Sequence, residues 1–421
     1  MRRVGMGVVS GTGIVGAGVV VAGVSTYLFL SLAGRTLGPT AFGPVSVLWA
    51  MVFVIGPGLF LPIQQELSRV IAGQRPRRVG GHALRTVGGL ASVMALVTAG
   101  ASVVARGWIT DHLLGGETAL LWCFVGAIVS YAVMFLCRGV FSGLGDYRDV
   151  GRLIALESLC RLLIGALLAA GDPTPTDFGV AIALAPLASA ALVSAMGRRL
   201  ALPPGTPVAV GATVVGLSWL VAGSLLAQLL ANAGPLAVQL LADEGQAAEA
   251  GRFLSALVVA RVALYLFQAA QATVLPNLAA LVASGQVSRV RRGVRDLVVI
   301  SVVLVLVTTA GAAVLGGWAV RLLFGSGFAV EDTTMAILTF ASGVHVLAAT
   351  LNQAVIASGG HRLAAGAWLA GCAAYAAGTT LSADLFRRVE VGYLLGVCVA
   401  AAVLLGAVWS RELRGAARPE S

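Results

Sequence analysis

The stretch TALLWCFVGAIVSYAVMFLC, Thr118–Cys137, carries no charge and ends directly before Arg138. A helix needs roughly 20 apolar residues to cross a hydrocarbon core about 30 Å thick. Similar stretches recur about twelve times along the 421 residues, with short gaps between them. The predicted spans are residues 9–32, 44–63, 87–105, 118–137, 151–170, 178–197, 209–240, 253–275, 297–316, 333–356, 363–383 and 391–410.

The composition makes the same point, because 58% of the residues are hydrophobic and only 11% are charged. Such a chain cannot cover the surface of a soluble protein, so lipid must be its solvent. The apolar runs are too long and too uniform for barrel strands, which leaves helices as the structure that satisfies the backbone in lipid. We therefore predict an all-α polytopic membrane protein with about 12 transmembrane helices.

The arginines indicate the orientation of these helices. They concentrate at both termini and in every second gap, whereas most acids lie in the other gaps, as with Asp172 and Asp177. By the positive-inside rule the arginine-rich side is cytoplasmic, so both termini are expected there. The net charge of +10 follows from this bias, and we do not expect binding of nucleic acid.

The sequence outside the predicted spans gives no sign of catalysis, ATP binding or metal binding. Twelve spans and their links consume the chain, so no soluble catalytic or nucleotide-binding domain remains, and there is no GxxxxGK[ST] loop for ATP. The five cysteines form no CxxC pair, and four histidines do not make a metal cluster. We expect no enzyme activity, no cofactor and no metal.

The two halves of the chain repeat each other. A first set of residues recurs 214 positions later, and a second recurs 210 positions later. We therefore predict two six-helix lobes, residues 1–200 and 201–421, related by an axis along the membrane normal. The first set is Pro62, Arg75, Arg77, Arg78, Gly145 and Arg148 with Pro276, Arg289, Arg291, Arg292, Gly359 and Arg362; the second is Gly107, Trp108, Leu113 and Gly115 with Gly317, Trp318, Leu323 and Gly325.

Arg261 is the first candidate for substrate binding, because a charge inside a membrane costs roughly 2.5–3.5 kcal/mol on insertion scales and usually marks a functional site. It lies well inside the predicted eighth span, and Tyr265 and Gln268 follow on the same helix face. The alternative is a structural arginine that pairs with a backbone carbonyl or with Glu157.

Two further polar stripes predict helices that line a cavity. In the seventh span, Ser224, Gln228 and Asn232 recur every fourth residue before Gly234 and Pro235. Hydrogen bonding between helices is the alternative for this stripe. In the first span, Tyr27, Ser31 and Arg35 have the same spacing, although Arg35 also fits an external loop.

Glu157 and Arg161 on the fifth span form an i,i+4 pair, and Glu66 and Arg69 form an i,i+3 pair. Such pairs neutralise each other and lower the cost of insertion. Alternatively, Glu157 binds a proton or Na⁺ and couples an ion gradient to transport. On the tenth span His345, which shares a face with Asn352, is a candidate for titration near neutral pH or for a hydrogen bond between helices.

Five short motifs resemble the oligosaccharide-lipid flippases, the Wzx-like polysaccharide branch of the MATE-like multidrug/oligosaccharidyl-lipid/polysaccharide transporter superfamily. This resemblance implies two lobes around a cavity that opens alternately to each side of the membrane. It also aligns Arg261 with a cavity arginine of the related lipid-II flippases. The motifs are AGRTLGPTAFG (33–43), RGVFSGLGDYR (138–148), LPNLAAL (275–281), LLFGSGF (322–328) and LNQAVIASGGHR (351–362).

The resemblance implies a substrate with an anionic polyprenyl pyrophosphate and attached sugars, moved outward across a bacterial cytoplasmic membrane for surface polysaccharide synthesis. Arginines and neutral hydrogen-bond donors suit such a head group. An ion-coupled exporter of drugs or small metabolites is the main alternative, and a membrane glycosyltransferase or polymerase is another. The expected partners are membrane lipid and the glycosyltransferases and polymerase of the pathway, and one chain supplies both lobes of a monomer.

Overall fold

The computed structural model describes residues 2–73, 80–196, 203, 210–243, 245–246, 248–261, 287–357 and 359–416. Within these ranges the chain consists of α-helices joined by short connections. The helices are α1 Arg2–Gly73, α2 Gly81–Val104, α3 Arg106–His112, α4 Thr118–Leu144, α5 Tyr147–Leu168, α6 Pro175–Ala195, α7 Val210–Leu241, α8 Glu249–Ala260, α9 Val287–Phe324, α10 Asp332–Ala357, α11 His361–Gly378 and α12 Leu385–Ala416.

Eight helical segments of the described residues are long and apolar enough to cross a membrane. The prediction of an all-helical, multi-pass membrane protein is therefore confirmed. Helix α5 is not among the eight, because Arg152, Glu157 and Arg161 lie close together along it. The eight segments that are long and apolar enough to cross a membrane are Gly13–Gly73, Gly81–Val104, Thr118–Leu144, Pro175–Ala195, Leu217–Leu241, Val302–Phe324, Asp332–Ile356 and Leu385–Ser410.

The first two predicted spans are joined more tightly than expected. The sequence predicts a gap over residues 33–43, whereas the structure is helical on both sides of a single non-helical residue, Gly38, with φ 72° and ψ 170°. Only glycine adopts this backbone region readily. Pro39 follows at the first position of the second helical segment, where its missing N–H is not needed. One Gly-Pro step thus replaces the predicted loop.

Two other predicted segments differ from the structure. The gap after the third predicted span contains the short helix α3, which the hydropathy pattern did not predict. The eighth predicted span, 253–275, is described only as far as Arg261, and the motif LPNLAAL lies outside the described residues.

By its contacts the chain divides into two compact units, residues 1–254 and 255–421. In the first unit α1 packs against α4, α5 and α7, and both α4 and α5 pack against α6. Phe29 of α1 and Phe178 of α6 meet edge to face in its core, with ring centroids 5.8 Å apart. The predicted boundary near residue 200 differs from this division and stays a prediction.

In the second unit α12 packs against both α10 and α11, and α9 packs along α10. The core of this unit includes Trp368, Phe324 and Phe328, each about 1% exposed. Large apolar side chains also lie on the outer surface of both units, for example Leu96 at 72% and Val314 at 74% exposure. Surfaces of this kind are suited to hydrocarbon rather than water.

The sequence repeat is accompanied by a repeat of backbone geometry. Gly145 after α4 and Gly359 after α10 have φ values of 80° and 77°. The same two backbone hydrogen bonds close the helix at each position. After α4, Gly145 N–H donates to the Ser142 carbonyl and Asp146 N–H to the Phe141 carbonyl. After α10, Gly359 N–H donates to the Ile356 carbonyl and Gly360 N–H to the Val355 carbonyl. These are left-handed C-caps of the Schellman type. Helices α4 and α10, and likewise α5 and α11, also begin 214 residues apart.

Candidate functional site

Arg161 is a deeply buried charge of the first unit. Its side chain is 2% exposed, and it lies in the middle of α5. Glu157, one helical turn earlier and 12% exposed, accepts a hydrogen bond from Arg161 Nη2 and forms a salt bridge with it. The predicted i,i+4 pair is therefore present, and it neutralises two charges inside an apolar bundle.

Three aromatic rings from α1 surround the same guanidinium. The Cζ atom of Arg161 lies 5.0 Å from the ring centroid of Trp49, 5.8 Å from that of Phe53 and 6.0 Å from that of Phe29. Trp49 and Phe53 are themselves stacked, with centroids 4.3 Å apart. Cations are attracted to ring faces at these distances. An aromatic box that suits an organic cation is thus filled by the protein's own arginine.

Helix α4 completes this cluster. The Tyr131 hydroxyl donates to Glu157 Oε1 at 3.1 Å, so the carboxylate is held from two helices. Phe135 lies one helical turn after Tyr131 on α4, and Arg138 lies two turns after it. The Arg138 guanidinium lies over the Phe135 ring, 5.1 Å from its centroid. Its Nε atom is buried and has no hydrogen-bond partner among the described residues. Arg138 is also close enough to Glu157 to interact with it electrostatically.

The polar stripe of α7 has local partners in the first unit. The Ser224 hydroxyl donates to the Pro57 carbonyl of α1 at 3.3 Å. Asn232, 7% exposed, donates from Nδ2 to the Gln228 carbonyl at 3.0 Å and to Gln228 Oε1 at 3.3 Å. Ser224 therefore makes the hydrogen bond between helices that was the alternative interpretation of this stripe. Gln228 is half-buried.

The stripe of the first span lies near the break in α1. Ser31 is half-buried, and Arg35 is exposed, three residues before Gly38. The exposed position of Arg35 fits both of its predicted roles, as a residue that lines a cavity and as a residue of an external loop. Both residues lie at the end of the first helical segment rather than in its middle.

Arg261 comes directly after α8, where its N–H donates to the Leu257 and Val258 carbonyls at 3.2 Å each. It is partly exposed and lies within electrostatic range of His345 on α10. Tyr265 and Gln268, predicted to share its face, lie outside the described residues.

His345 belongs to a polar and aromatic cluster in the second unit. Its ring centroid lies 5.4 Å from that of Trp368 on α11 and 6.5 Å from that of Tyr393 on α12. Trp368 Nε1 in turn donates to Asn352 Oδ1 at 3.0 Å, so His345 and Asn352 do face the same neighbour. The Nδ1 atom of His345 and the Tyr393 hydroxyl are buried without a hydrogen-bond partner among the described residues.

Sequence reasoning missed two buried acids. Asp149 on α5 is 1% exposed and accepts a hydrogen bond from Arg152 at 3.0 Å. Glu390 on α12 is fully buried and accepts one from Arg387 at 3.1 Å. Both pairs have i,i+3 spacing, the same signal that identified Glu66 and Arg69, and this signal would have found them.

No group of His, Cys, Asp and Glu side chains within the described ranges is arranged to hold a metal ion. None of the five cysteines forms a disulfide.

The fold is that of solved MATE transporters. A structure described as an inward-facing multidrug resistance MATE family transporter of the MOP superfamily is 14% identical with a TM-score of 0.71, and the match covers 94% of this chain and 95% of that one. The Vibrio cholerae MATE transporter VcmN, as a point mutant, is 17% identical with a TM-score of 0.66, covering 97% and 98%. The eukaryotic MATE transporter AtDTX14 is 14% identical with a TM-score of 0.67, covering 97% and 98%.

No protein-family model matches the sequence, and no curated protein matches it. Identities this low establish the fold alone. The chain is therefore a multi-pass membrane protein with the MATE transporter fold.

Proposed function

We propose that this protein is a transporter that flips polyprenyl-pyrophosphate-linked oligosaccharides from the inner to the outer leaflet of a bacterial cytoplasmic membrane. The MATE-like fold supports membrane transport, since the solved structures that share it are transporters. The motifs that resemble the oligosaccharide-lipid flippases support the substrate class.

One observation carries the choice of an anionic substrate. Four acids within the described helices, Glu66, Asp149, Glu157 and Glu390, each accept a hydrogen bond from an arginine on the same helix. An exporter of cations needs an acid that is available to its substrate, whereas these carboxylates are already neutralised. Arg138 and Arg261 supply guanidinium groups, whose planar donors suit phosphate oxygens.

The mechanism that we propose is alternating access. Each six-helix half forms a lobe, both termini are cytoplasmic, and the sugar head group crosses a hydrated cavity between the lobes while the lipid tail stays in the bilayer. Gln228 and Arg261 contact the head group. Glu157 with Arg161, and His345, are the groups that would respond to a proton or Na⁺ gradient.

An exporter of drugs or small metabolites is the second candidate. One solved structure with this fold is described as a multidrug resistance transporter, which favours this second candidate. The aromatic box of Trp49, Phe53 and Phe29 would suit a cationic drug, but Arg161 already occupies it.

The test is transport of a fluorescent polyprenyl-pyrophosphate oligosaccharide across proteoliposomes, with and without a proton or Na⁺ gradient. Because a hydrogen bond to a charged group contributes about 1.5–3 kcal/mol, we expect Arg261→Ala to slow transport by roughly tenfold to a hundredfold. Arg261→Lys, which keeps the charge but loses the planar fork, should have intermediate activity.

Arg252→Ala is the matched control. Arg252 lies on α8, is 35% exposed and pairs with Glu249 at 2.7 Å, so its loss should leave transport unchanged. A folded wild type that moves ethidium but not the lipid-linked sugar would replace the flippase proposal with the drug exporter. Equal losses in Arg252→Ala and Arg261→Ala would remove the proposed role of Arg261.

A further inference from the structure

A cavity lies between α9 and α10 in the second unit, and Ala260 at the end of α8 also lines it. Its volume is about 270 Å³, and its walls are mainly branched aliphatic side chains. Val302, Val305 and Leu306 of α9 and Val346 and Leu347 of α10 are among them. None of the described lining residues is charged. Mostly apolar cavities with a few placed polar groups are typical small-molecule sites.

Two hydroxyls on the α10 wall of this cavity lack partners. Thr339 and Ser342 line it and are 4% and 2% exposed, and neither hydroxyl has a hydrogen-bond partner within the described part of the chain. A hydroxyl inside a helix usually donates to the carbonyl four residues earlier. Thr308 on the opposite wall does so, donating to Leu304 at 2.7 Å. A buried hydroxyl that makes no hydrogen bond is costly, so two that face one cavity indicate a ligand atom between them.

The cavity opens onto an apolar surface. Val302 and Leu306 belong to its wall and are 46% and 56% exposed, and their neighbours Val303 and Val307 are 52% and 62% exposed. These residues lie in the segment Val302–Phe324, which is long and apolar enough to cross the membrane. Thr339 and Ser342 lie well inside α10, more than one turn from either of its ends. A molecule that enters here therefore comes from the hydrocarbon of the bilayer.

We propose that this cavity is a binding site for an uncharged lipophilic small molecule whose oxygen atom hydrogen-bonds to Thr339 and Ser342. A charged ligand is disfavoured because the described wall offers it no counter-ion. A plain acyl chain is disfavoured because it leaves both hydroxyls unsatisfied. Binding of such a molecule does not depend on which substrate the protein transports.

The probe is azioctanol, an apolar alcohol that labels its surroundings on illumination. With wild-type protein in liposomes, we expect saturable labelling of α9 and α10 residues, mapped by mass spectrometry. Thr339→Val combined with Ser342→Ala removes both hydroxyls with little change in shape. We expect this double variant to bind the probe about three- to tenfold more weakly, the effect of one or two hydrogen bonds.

Thr308→Val is the control, because the Thr308 hydroxyl lines the cavity but already bonds within its own helix. It should bind the probe like wild type. The double variant should unfold at or above the wild-type temperature without probe, since it loses only unsatisfied hydroxyls. Non-saturable labelling spread over the lipid-facing helices, or equal labelling of wild type and the double variant, would overturn the proposal.

Discussion

Arg161 has an acid on its own helix and three aromatic rings from another helix as neighbours. The i,i+4 spacing predicted Glu157 as its partner, and the structure contains that pair. The rings of Trp49, Phe53 and Phe29 were not predictable, because α1 residues distant in the sequence reach Arg161 only through packing. A guanidinium with all these contacts is a structural element of the bundle as much as a candidate for coupling.

We predict strong coupling between Glu157 and Arg161. Glu157→Leu leaves a buried arginine without its counter-charge and should cost about 3–5 kcal/mol of unfolding free energy. Adding Arg161→Met should recover most of this loss, because an apolar pair can replace a buried ion pair at little cost. SDS-induced unfolding of the two single variants and the double variant measures the coupling.

Glu66→Ala is the control for the Glu157 and Arg161 variants, because it removes the acid of an exposed pair. Its partner Arg69 is 72% exposed, and exposed pairs contribute about 1 kcal/mol or less. If the two single changes at positions 157 and 161 simply add in the double variant, the pair is not coupled and our interpretation is wrong.

The helix ends show how far sequence reasoning reaches for individual elements. Gly145 and Gly359 were identified by their spacing of 214 residues, and the structure shows the same left-handed cap at both. The length of the break after Arg35 was predicted wrongly, because a hydropathy pattern does not reveal that one Gly-Pro step can redirect a helix. Both outcomes depend on glycine at positive φ.

Close helix crossings also depend on glycine. A Cβ added to Gly378 on α11 would lie 2.6 Å from Gly392 Cα on α12, a backbone contact that cannot move aside easily. We predict that Gly378→Ala lowers the thermal stability of the purified protein by several degrees, because it forces α11 and α12 apart.

Gly366→Ala on the same helix is the matched control. A Cβ there meets nothing within 4 Å, so stability should be unchanged or slightly higher through better helix propensity. Similar melting temperatures for the Gly366 and Gly378 variants would show that the crossing tolerates a wider separation than the structure indicates.

For the molecule as a whole, the arginine distribution and the long apolar helices make one combined prediction. Helix α5 joins Arg148, in an arginine-rich gap, to Asp172, in an acidic one, and both residues are exposed. If α5 crosses the membrane and the positive-inside rule holds, its two ends face opposite sides.

Cysteine labelling in intact cells checks this topology. Asp172→Cys should react with a membrane-impermeant maleimide added outside, whereas Arg148→Cys should react only after the cells are permeabilised. The unsubstituted protein, whose five cysteines all lie in helices, gives the background. Labelling of both positions from one side would show that α5 does not span, and the opposite pattern would invert the proposed orientation.

The sequence by itself determined the class of protein, most of the helical segments, their repeat and the i,i+4 pair at Glu157. These properties depend on composition and on residues close together in the chain, where hydropathy and helical spacing are sufficient. Only the tertiary structure decided which rings surround Arg161, which helix supplies Tyr131, and that Thr339 and Ser342 face a cavity. Those contacts join residues remote in the sequence, and packing, rather than local pattern, brings them together.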